Sequence, residues 1–262
     1  MTLRVGVLGA GGRMGSTVCR AVDADPALEL VGAVDPNHAG LGVAEVTGCD
    51  LPLRVSADGQ ALLDVGVDVV IDFTHLDAAR ANLLWAADNG VHAVTGTTGF
   101  SEDDLKTFRD RFSRSNCVIA PNFAIGAVLM MRFAELAAPF FDTAEIIELH
   151  HDQKIDAPSG TAVTTAQRMA AASADWAADP TQHEVYPGAR GGVGQAGIHV
   201  HAVRMRGMVA HQEVILGAQG QSLTIRQDSY DRASFMPGVV LACKRVAEFP
   251  GLTLGLDALL GV

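Results

Sequence analysis

The residues with the clearest chemical potential lie in one run, Glu148–Ala162, which reads ELHHDQKIDAPSGTA. The run contains two adjacent histidines, His150 and His151, and the lysine Lys154. A histidine exchanges a proton near neutral pH, and a lysine acts as an acid when it is held close to developing negative charge. Each of these residues alone is more often a solvated surface side chain. Their clustering favours a site of proton transfer.

The same run ends in a Ser-Gly-Thr sequence that opens a predicted helix over Gly160–Ser173. The first backbone N–H groups of a helix have no partner within the helix, so they attract anions. Gly160 lets a ligand approach the backbone closely, and the hydroxyl of Thr161 adds a donor. A simple helix-capping role for Ser159 is the ordinary alternative. We interpret the segment as a binding site for a carboxylate.

A second group of candidate residues, Gly9–Gly15 (GAGGRMG), follows a predicted strand and opens a predicted helix. Its glycines allow a tight turn and the close approach of a diphosphate, whose charge the helix N-terminus favours. Asp35 lies 20 residues after Gly15, at the end of the next predicted strand, where dinucleotide sites carry an acid that binds a ribose hydroxyl. The pattern predicts a dinucleotide site with contacts from Gly9, Ala10, Gly11, Gly12, Arg13, Met14 and Asp35.

Two further loops, Val94–Gly99 (VTGTTG) and Ala120–Phe123 (APNF), also follow predicted strands. Each loop alone is typical of an ordinary turn. Ligands of open α/β sheets bind beyond the carboxyl ends of the strands, and we expect both loops at that edge. The residues expected to contact the nicotinamide are Gly96, Thr97, Thr98, Ala120, Pro121, Asn122 and Phe123.

The elements that must position these residues change in kind along the chain. Up to residue 123, continuous apolar runs such as Val67–Phe73 alternate with helical segments, which predicts a doubly wound parallel sheet of Rossmann type. The strand-like runs of Ile198–Thr224 follow one another with little helix, which predicts an α+β domain with a mixed or antiparallel sheet. Gly188–Gly197 is expected to be a long flexible loop. The predicted domains are residues 1–123 with 233–262 for the dinucleotide, and the inserted residues 124–232 for the substrate.

The composition excludes several classes of protein. The 262 residues include 30 acidic and 19 basic side chains, so nucleic acid is not an expected partner. The four cysteines form no CxxC pair, and His199 and His201 have no third ligand at a recognisable spacing, so we expect no metal and interpret both histidines as surface residues. Cys117 is expected to pack as a small apolar side chain. No leader-like start or membrane-length apolar run is present, which favours a cytoplasmic protein without membrane contact.

The sequence resembles a known enzyme family. The run Glu145–Ala162 (EIIELHHDQKIDAPSGTA) is similar to the signature of the dihydrodipicolinate reductases, also called 4-hydroxy-tetrahydrodipicolinate reductases. GAGGRMG, DFT at Asp72, GTTG at Gly96 and APNF at Ala120 match in the same order. The resemblance implies reduction of 4-hydroxy-tetrahydrodipicolinate, a cyclic dicarboxylate, to tetrahydrodipicolinate in the diaminopimelate route to lysine. It also implies a homotetramer whose contacts are made by the inserted domain.

The resemblance implies roles for individual residues as well. His150 would be the catalytic acid/base, Lys154 the proton donor, and His151, Gly160 and Thr161 the ligands of the substrate's carboxylates. The glycine loop, Asp35 and the two later loops would bind NADH or NADPH.

Cofactor choice and the type of activity stay open at this point. Pro36 and Asn37 follow Asp35 where some family members have an arginine for the 2′-phosphate, which favours NADH without excluding NADPH. Another nicotinamide-dependent dehydrogenase acting on a small carboxylate is the main alternative function. A non-catalytic NAD(H) sensor is a further one, although this acidic chain carries no basic patch for DNA.

Overall fold

The computed structural model describes residues 2–262, which pack into two compact units. The first unit consists of the chain up to Phe123 together with Phe235–Gly261, and the second consists of Ala124–Ser234. The second unit is therefore inserted into the first. The binding and oligomerisation roles assigned to the two predicted domains stay predictions.

Strands and short helices alternate along the chain up to Phe123. The elements are β1 (Leu3–Leu8), α1 (Arg13–Asp23), β2 (Leu28–Val34), α2 (Val43–Thr47), β3 (Val55–Ser56), α3 (Gln60–Asp64), β4 (Val69–Asp72), α4 (Leu76–Asn89), β5 (His92–Thr95), α5 (Glu102–Arg111) and β6 (Cys117–Ile119).

The inserted unit contains α6 (Ile125–Ala137), β7 (Thr143–His150), α7 (Gly160–Ala172), β8 (Gly192–Val193), β9 (His199–Arg204), β10 (Ala210–Ala218) and β11 (Gln221–Ser229). The chain then completes the first unit with α8 (Met236–Arg245), β12 (Leu252–Leu254) and α9 (Asp257–Leu260).

The two units contain sheets of different kinds. The first sheet has the strand order β12-β6-β5-β4-β1-β2-β3, and every neighbouring pair in it is parallel. The second has the order β11-β10-β7-β9-β8, in which only β7 and β9 are parallel. The predicted fold class, a doubly wound parallel sheet with a second domain built on a mixed sheet, is confirmed.

Burial explains why the first-sheet strands are continuously apolar. All four residues of β4 are buried, and Val5 and Val7 of β1 have no exposed surface. A parallel sheet is covered by its crossover helices on both faces, so alternation with polar residues is absent. Leu83 of α4 and Phe108 of α5 pack into this core.

Local sequence signals account for two helix ends of the first unit. Ser101 and Asp104 form a reciprocal capping box at the start of α5. Gly90 ends α4 in the left-handed conformation, with φ of 68°, which glycine adopts without steric cost.

Three expectations need correction. The segment Gly188–Gly197 is not simply a loop, because β8 lies within it and pairs with β9. A two-residue strand is too short to leave a periodic pattern in the sequence. His199 and His201 are not free surface residues: His199 is buried with its Nε2 3.2 Å from Asp179 Oδ2, and the Nε2 of His201 lies 2.6 Å from an oxygen of Glu145.

Cys117 is completely buried, and burial raises the pKa of its thiol, so its predicted packing role is confirmed.

None of the helices within residues 2–262 has the length and apolar character to cross a membrane.

Candidate active site

One buried carboxylate organises the candidate substrate residues of the second unit. Glu148, on β7, has no exposed surface. Both of its oxygens accept hydrogen bonds from the guanidinium of Arg204 at 2.8 Å. Oε1 also accepts the backbone N–H of Ser159 at 3.0 Å, and Oε2 lies 2.5 Å from Nδ1 of His150. The carboxylate therefore joins the end of β9, the start of α7 and the predicted catalytic imidazole.

Charge and burial act in opposite directions on this group. Burial opposes ionisation of Glu148, but hydrogen bonds from Arg204, His150 and the Ser159 backbone outweigh it and hold its pKa below the usual range. Burial lowers the pKa of His150, and its contact with Glu148 only partly offsets this. Because an ionised carboxylate can only accept, Nδ1 of His150 carries the proton that points to Glu148. Nε2 is then the imidazole nitrogen that Glu148 does not bind.

Lys154 lies in the loop that follows β7. Its ammonium contacts both carboxylate oxygens of Asp156, at 2.7 and 2.8 Å. The charge of Lys154 also contributes to the lowered pKa of His150, which places the two groups within electrostatic range. His151 is exposed, and its Nδ1 accepts a hydrogen bond from the backbone N–H of Gln153. The structure thus brings His150 and Lys154 together, with His151 at the surface beside them.

The start of α7 has the geometry expected of an anion site. Ser159 is the N-cap, and its hydroxyl accepts the backbone N–H of Ala162. Gly160 is exposed, and no atom lies within 4 Å of the point that a Cβ would occupy there. Thr161 is half-buried beside it. Because Glu148 holds Ser159, this helix start and the imidazole of His150 share one support.

The glycine turn of the first unit is closed around Asp35. Gly9 has φ of 80°, and the backbone N–H of Gly11 donates to Oδ2 of Asp35 at 3.0 Å. Oδ1 accepts the backbone N–H of Asn37 and lies 3.0 Å from Nδ1 of His38. Burial opposes ionisation of Asp35, but the hydrogen bonds from His38, Asn37 and Gly11 outweigh it and lower its pKa. The acid stays ionised and tied to the turn.

A cavity of about 430 Å³ opens beside this turn. The residues that line it include Gly9, Gly12, Asp35, Asn37 and Asp58. Among the residues that line it there is no lysine or arginine. The size and the donor-rich turn suit a ribose and diphosphate, whereas the acidic lining disfavours an additional phosphate.

In the two later loops of the first unit, the side chains of Thr97 and Phe123 point into the protein. Thr97 is buried, and its hydroxyl donates to the backbone oxygen of Thr74 at 3.0 Å and approaches Asp72 at 3.3 Å. Its side chain therefore faces the protein. Phe123 is buried, and its ring centroid lies 5.8 Å from that of Phe73. A cofactor could meet these two positions through their backbone only.

The remaining predicted cofactor residues lie in the same three loops of the first unit and in the first turn of α1. The side chains of Ala10 and Ala120 are buried, those of Met14 and Asn122 are half-buried, and those of Arg13, Thr98 and Pro121 are exposed. All these cofactor assignments stay predictions.

Sequence reasoning missed Glu148 and Arg204. Glu148 had a detectable signal, because it shares the inward face of a period-two strand with the fully buried Ile146. A charged residue at such a position needs a partner. Arg204 had no such signal, since it is 56 residues away in the sequence.

The comparisons with known proteins agree over the whole chain. A family model described as "Dihydrodipicolinate reductase, N-terminus" matches residues 3–123, and one described as "Dihydrodipicolinate reductase, C-terminus" matches residues 126–260. The chain belongs to the dihydrodipicolinate reductase family. Its membership makes the protein an NAD(P)H-dependent oxidoreductase, and the alternative of another nicotinamide-dependent dehydrogenase is not favoured.

Individual relatives extend this result. The 4-hydroxy-tetrahydrodipicolinate reductase of Corynebacterium urealyticum is 50% identical, and that of Cutibacterium acnes 48% identical, each over 99% of both chains. The structure of dipicolinate-bound dihydrodipicolinate reductase from Paenisporosarcina sp. TG-14 is 38% identical with a TM-score of 0.87, covering 98% of this chain and 99% of that one. An amine dehydrogenase from Mycobacterium smegmatis, 14% identical with a TM-score of 0.65 over 98% and 96% of the two chains, shares the fold alone.

The buried ion pair of this dihydrodipicolinate reductase family member gives a stability prediction. Arg204→Ala should lower the free energy of unfolding by about 3–5 kcal/mol at neutral pH, because it leaves the buried Glu148 carboxylate without its cation. Arg206→Ala is the matched control: its pair with Asp152 is exposed and should contribute less than about 1 kcal/mol. Denaturant titration of both variants measures the difference.

The same variant has a defined pH dependence. The folded-state pKa of Glu148 is lowered, so its contribution to stability is present above the unfolded pKa of about 4.3 and is lost as the pH falls through the folded value. The difference in the free energy of unfolding between the parent and Arg204→Ala should therefore become smaller below about pH 4.3. A gap that stays constant down to pH 3 would contradict the assigned ion pair.

Proposed function

We propose that this chain reduces 4-hydroxy-tetrahydrodipicolinate to tetrahydrodipicolinate with NADH or NADPH, in the diaminopimelate route to lysine. The first unit holds the cofactor and the second unit holds the substrate. The observation that supports the proposal is that Glu148 binds both the His150 imidazole and the Ser159 backbone at the start of α7. The direct test is the loss of NADH or NADPH absorbance when enzymatically generated substrate is added.

The second unit's residues match what a cyclic dicarboxylate substrate requires. When bound, the nicotinamide supplies a hydride to the conjugated ring carbon, and the ring must then gain a proton at the adjacent carbon. Nε2 of His150 or the ammonium of Lys154 supplies that proton. The open start of α7 at Gly160 and Thr161, with His151, holds the carboxylates.

Proton supply can be tested by substitution. His150→Ala and Lys154→Ala should each lower kcat by roughly 10²–10⁴-fold, the usual range for a lost general acid, while NADH still binds. The double variant should lose less than the product of the single losses, because the two groups serve one transfer. His183→Ala, at an exposed loop position of the same unit, is the control and should keep parental kcat. Multiplicative losses would indicate that the two residues act independently.

The anion site can be tested with dipicolinate, the planar dicarboxylate named in the Paenisporosarcina structure. It should inhibit competitively with the substrate because it has no imine ready to accept a hydride. Gly160→Val should weaken inhibitor and substrate together and leave NADH affinity unchanged. A Cβ added at Gly160 has no protein atom within 4 Å, so we expect the effect to fall on the ligand. Unchanged inhibition by dipicolinate in this variant would rule out Gly160 as part of the site.

For cofactor choice, we expect NADH to be used at least as well as NADPH. Asp35 accepts hydrogen bonds from a ribose hydroxyl and repels a 2′-phosphate, and Asp58 adds a second negative charge to the cavity. Asp35→Ala should shift the ratio of kcat/KM values toward NADPH. Asp25→Ala, which removes an acid paired with Lys244, is the control. An unchanged ratio in Asp35→Ala would remove Asp35 from cofactor selection.

We also propose a cytoplasmic homotetramer formed through the second unit, without nucleic acid as a partner. One face of the second unit's sheet is covered by α6 and α7. The other face carries the half-buried apolar side chains Ile147, Leu149, Val203 and Ile215. Such a face is typical of a subunit contact. Sedimentation velocity should give four times the mass of the chain, and Ile147→Lys should dissociate the assembly.

A further inference from the structure

A second fully buried acid, Asp72, lies at the carboxyl end of β4 in the first unit. Its Oδ1 accepts the backbone N–H of Thr74 at 3.0 Å and the Thr74 hydroxyl at 2.9 Å. Its Oδ2 accepts the side-chain amide of Asn82 at 2.6 Å, and the hydroxyl of Thr97 approaches Oδ1 at 3.3 Å. One carboxylate therefore joins the turn after β4, helix α4 and the loop after β5.

The two residues that follow Asp72 touch the other predicted cofactor loops. The Cγ2 atom of Thr74 lies 2.9 Å from the point that a Cβ of Gly9 would occupy. The Phe73 ring lies 2.2 Å from the corresponding point of Gly96 and packs against the ring of Phe123. The segment Asp72–Thr74 thus contacts the glycine turn, the GTTG loop and the APNF loop.

This convergence follows from the topology. β4 lies between β1 and β5, so the turn that leaves it is flanked by the turns that leave its neighbours. The three loops have no regular hydrogen-bonded structure of their own at these positions. Their backbone geometry depends on what they pack against, and Phe73, Thr74 and Asn82 also line the cavity of about 430 Å³. A cofactor bound through backbone groups needs those groups to be held in place beforehand.

We propose that Asp72 is a positioning residue for the nicotinamide cofactor. Its carboxylate fixes Thr74, Asn82 and Thr97. These residues hold the glycine turn and the GTTG loop, and Phe73, the residue between Asp72 and Thr74, packs against the APNF loop. The proposal rests on the proposed function, because it takes the cavity of the first unit as the cofactor site. Asp72 acts through its neighbours and has no contact of its own with the reacting atoms.

The test compares two substitutions at one position by fluorescence titration with NADH. Asp72→Ala removes every acceptor and should weaken NADH binding by about tenfold or more, since several buried donors lose their partner. Asp72→Asn keeps a carbonyl oxygen for Thr74, and the Asn82 amide can rotate to accept from the new NH₂ group. Its NADH affinity should stay within about threefold of the parent. A role of the negative charge itself would instead make the two variants equally weak and overturn the proposal.

A control separates positioning from general loss of stability. Asn116 is in the same unit, and its side chain bonds the backbone of Val246 and Gly251, away from the cofactor loops. Asn116→Ala should lower the denaturation temperature as Asp72→Ala does, yet keep parental NADH affinity. If Asp72→Ala does not fold, Thr97→Val provides the measurement, because it removes one donor of the same network at nearly constant volume. It should weaken NADH binding by about threefold or more.

The outcomes separate a failure of the proposed function from a failure of the positioning role of Asp72. A parent protein that binds neither NADH nor NADPH would refute the proposed function. A parent that binds NADH, with Asp72→Ala or Thr97→Val binding it equally well, would refute only the positioning role of Asp72.

Discussion

The candidate substrate site depends on the burial of one ionised carboxylate. Glu148 has no exposed surface, and a charge in that position is tolerated only when its hydrogen-bonding capacity is filled. Arg204, Ser159 and His150 fill it. Each bond that satisfies the charge also fixes something the chemistry needs: a strand end, a helix start and an imidazole tautomer. The hydrogen bonds that make the buried charge of Glu148 tolerable are therefore the same bonds that set the geometry of the site.

The first unit uses the same physical device at another place. Asp72 is equally buried, but its partners are amide and hydroxyl donors instead of a guanidinium. The neutral donors that bind Asp72 come from two loops and a helix. By contrast, Arg204 alone binds both oxygens of Glu148, in one bidentate pair. In both units a carboxylate near the end of a strand holds loops that have no regular structure of their own.

The chemistry assigned to the site follows from these surroundings. Burial lowers the pKa of His150, and nearby Lys154 adds to this effect. Because Nδ1 is bonded to Glu148, Nε2 is the nitrogen that the proposed proton transfer would use. The side-chain nitrogen of Lys154 is oriented by its two contacts with Asp156. In the proposed reaction, a cyclic dicarboxylate that must gain one proton would meet both a proton donor and positive charge at this place.

The sequence by itself determined the parallel sheet, the mixed second sheet, and the motifs that carry the site. Local patterns sufficed for these, because apolar continuity, capping residues and glycine turns are properties of neighbouring residues. The position of α5 follows from the capping box of Ser101 and Asp104, and the alternation of residues along Thr143–His150 is that of a strand with one buried face.

Only the tertiary structure decided which side chains support those motifs. Arg204 and Glu148 are 56 residues apart, and Thr97 and Asp72 are 25 apart, so no local pattern could pair them. It also turned the Thr97 hydroxyl inward, although its loop signature predicted a cofactor contact, and it buried His199 against Asp179. The short strand β8 exists only because β9 lies beside it. For the buried side chains, the deciding energy is the cost of burying a polar group without a partner, and that partner is chosen by the fold.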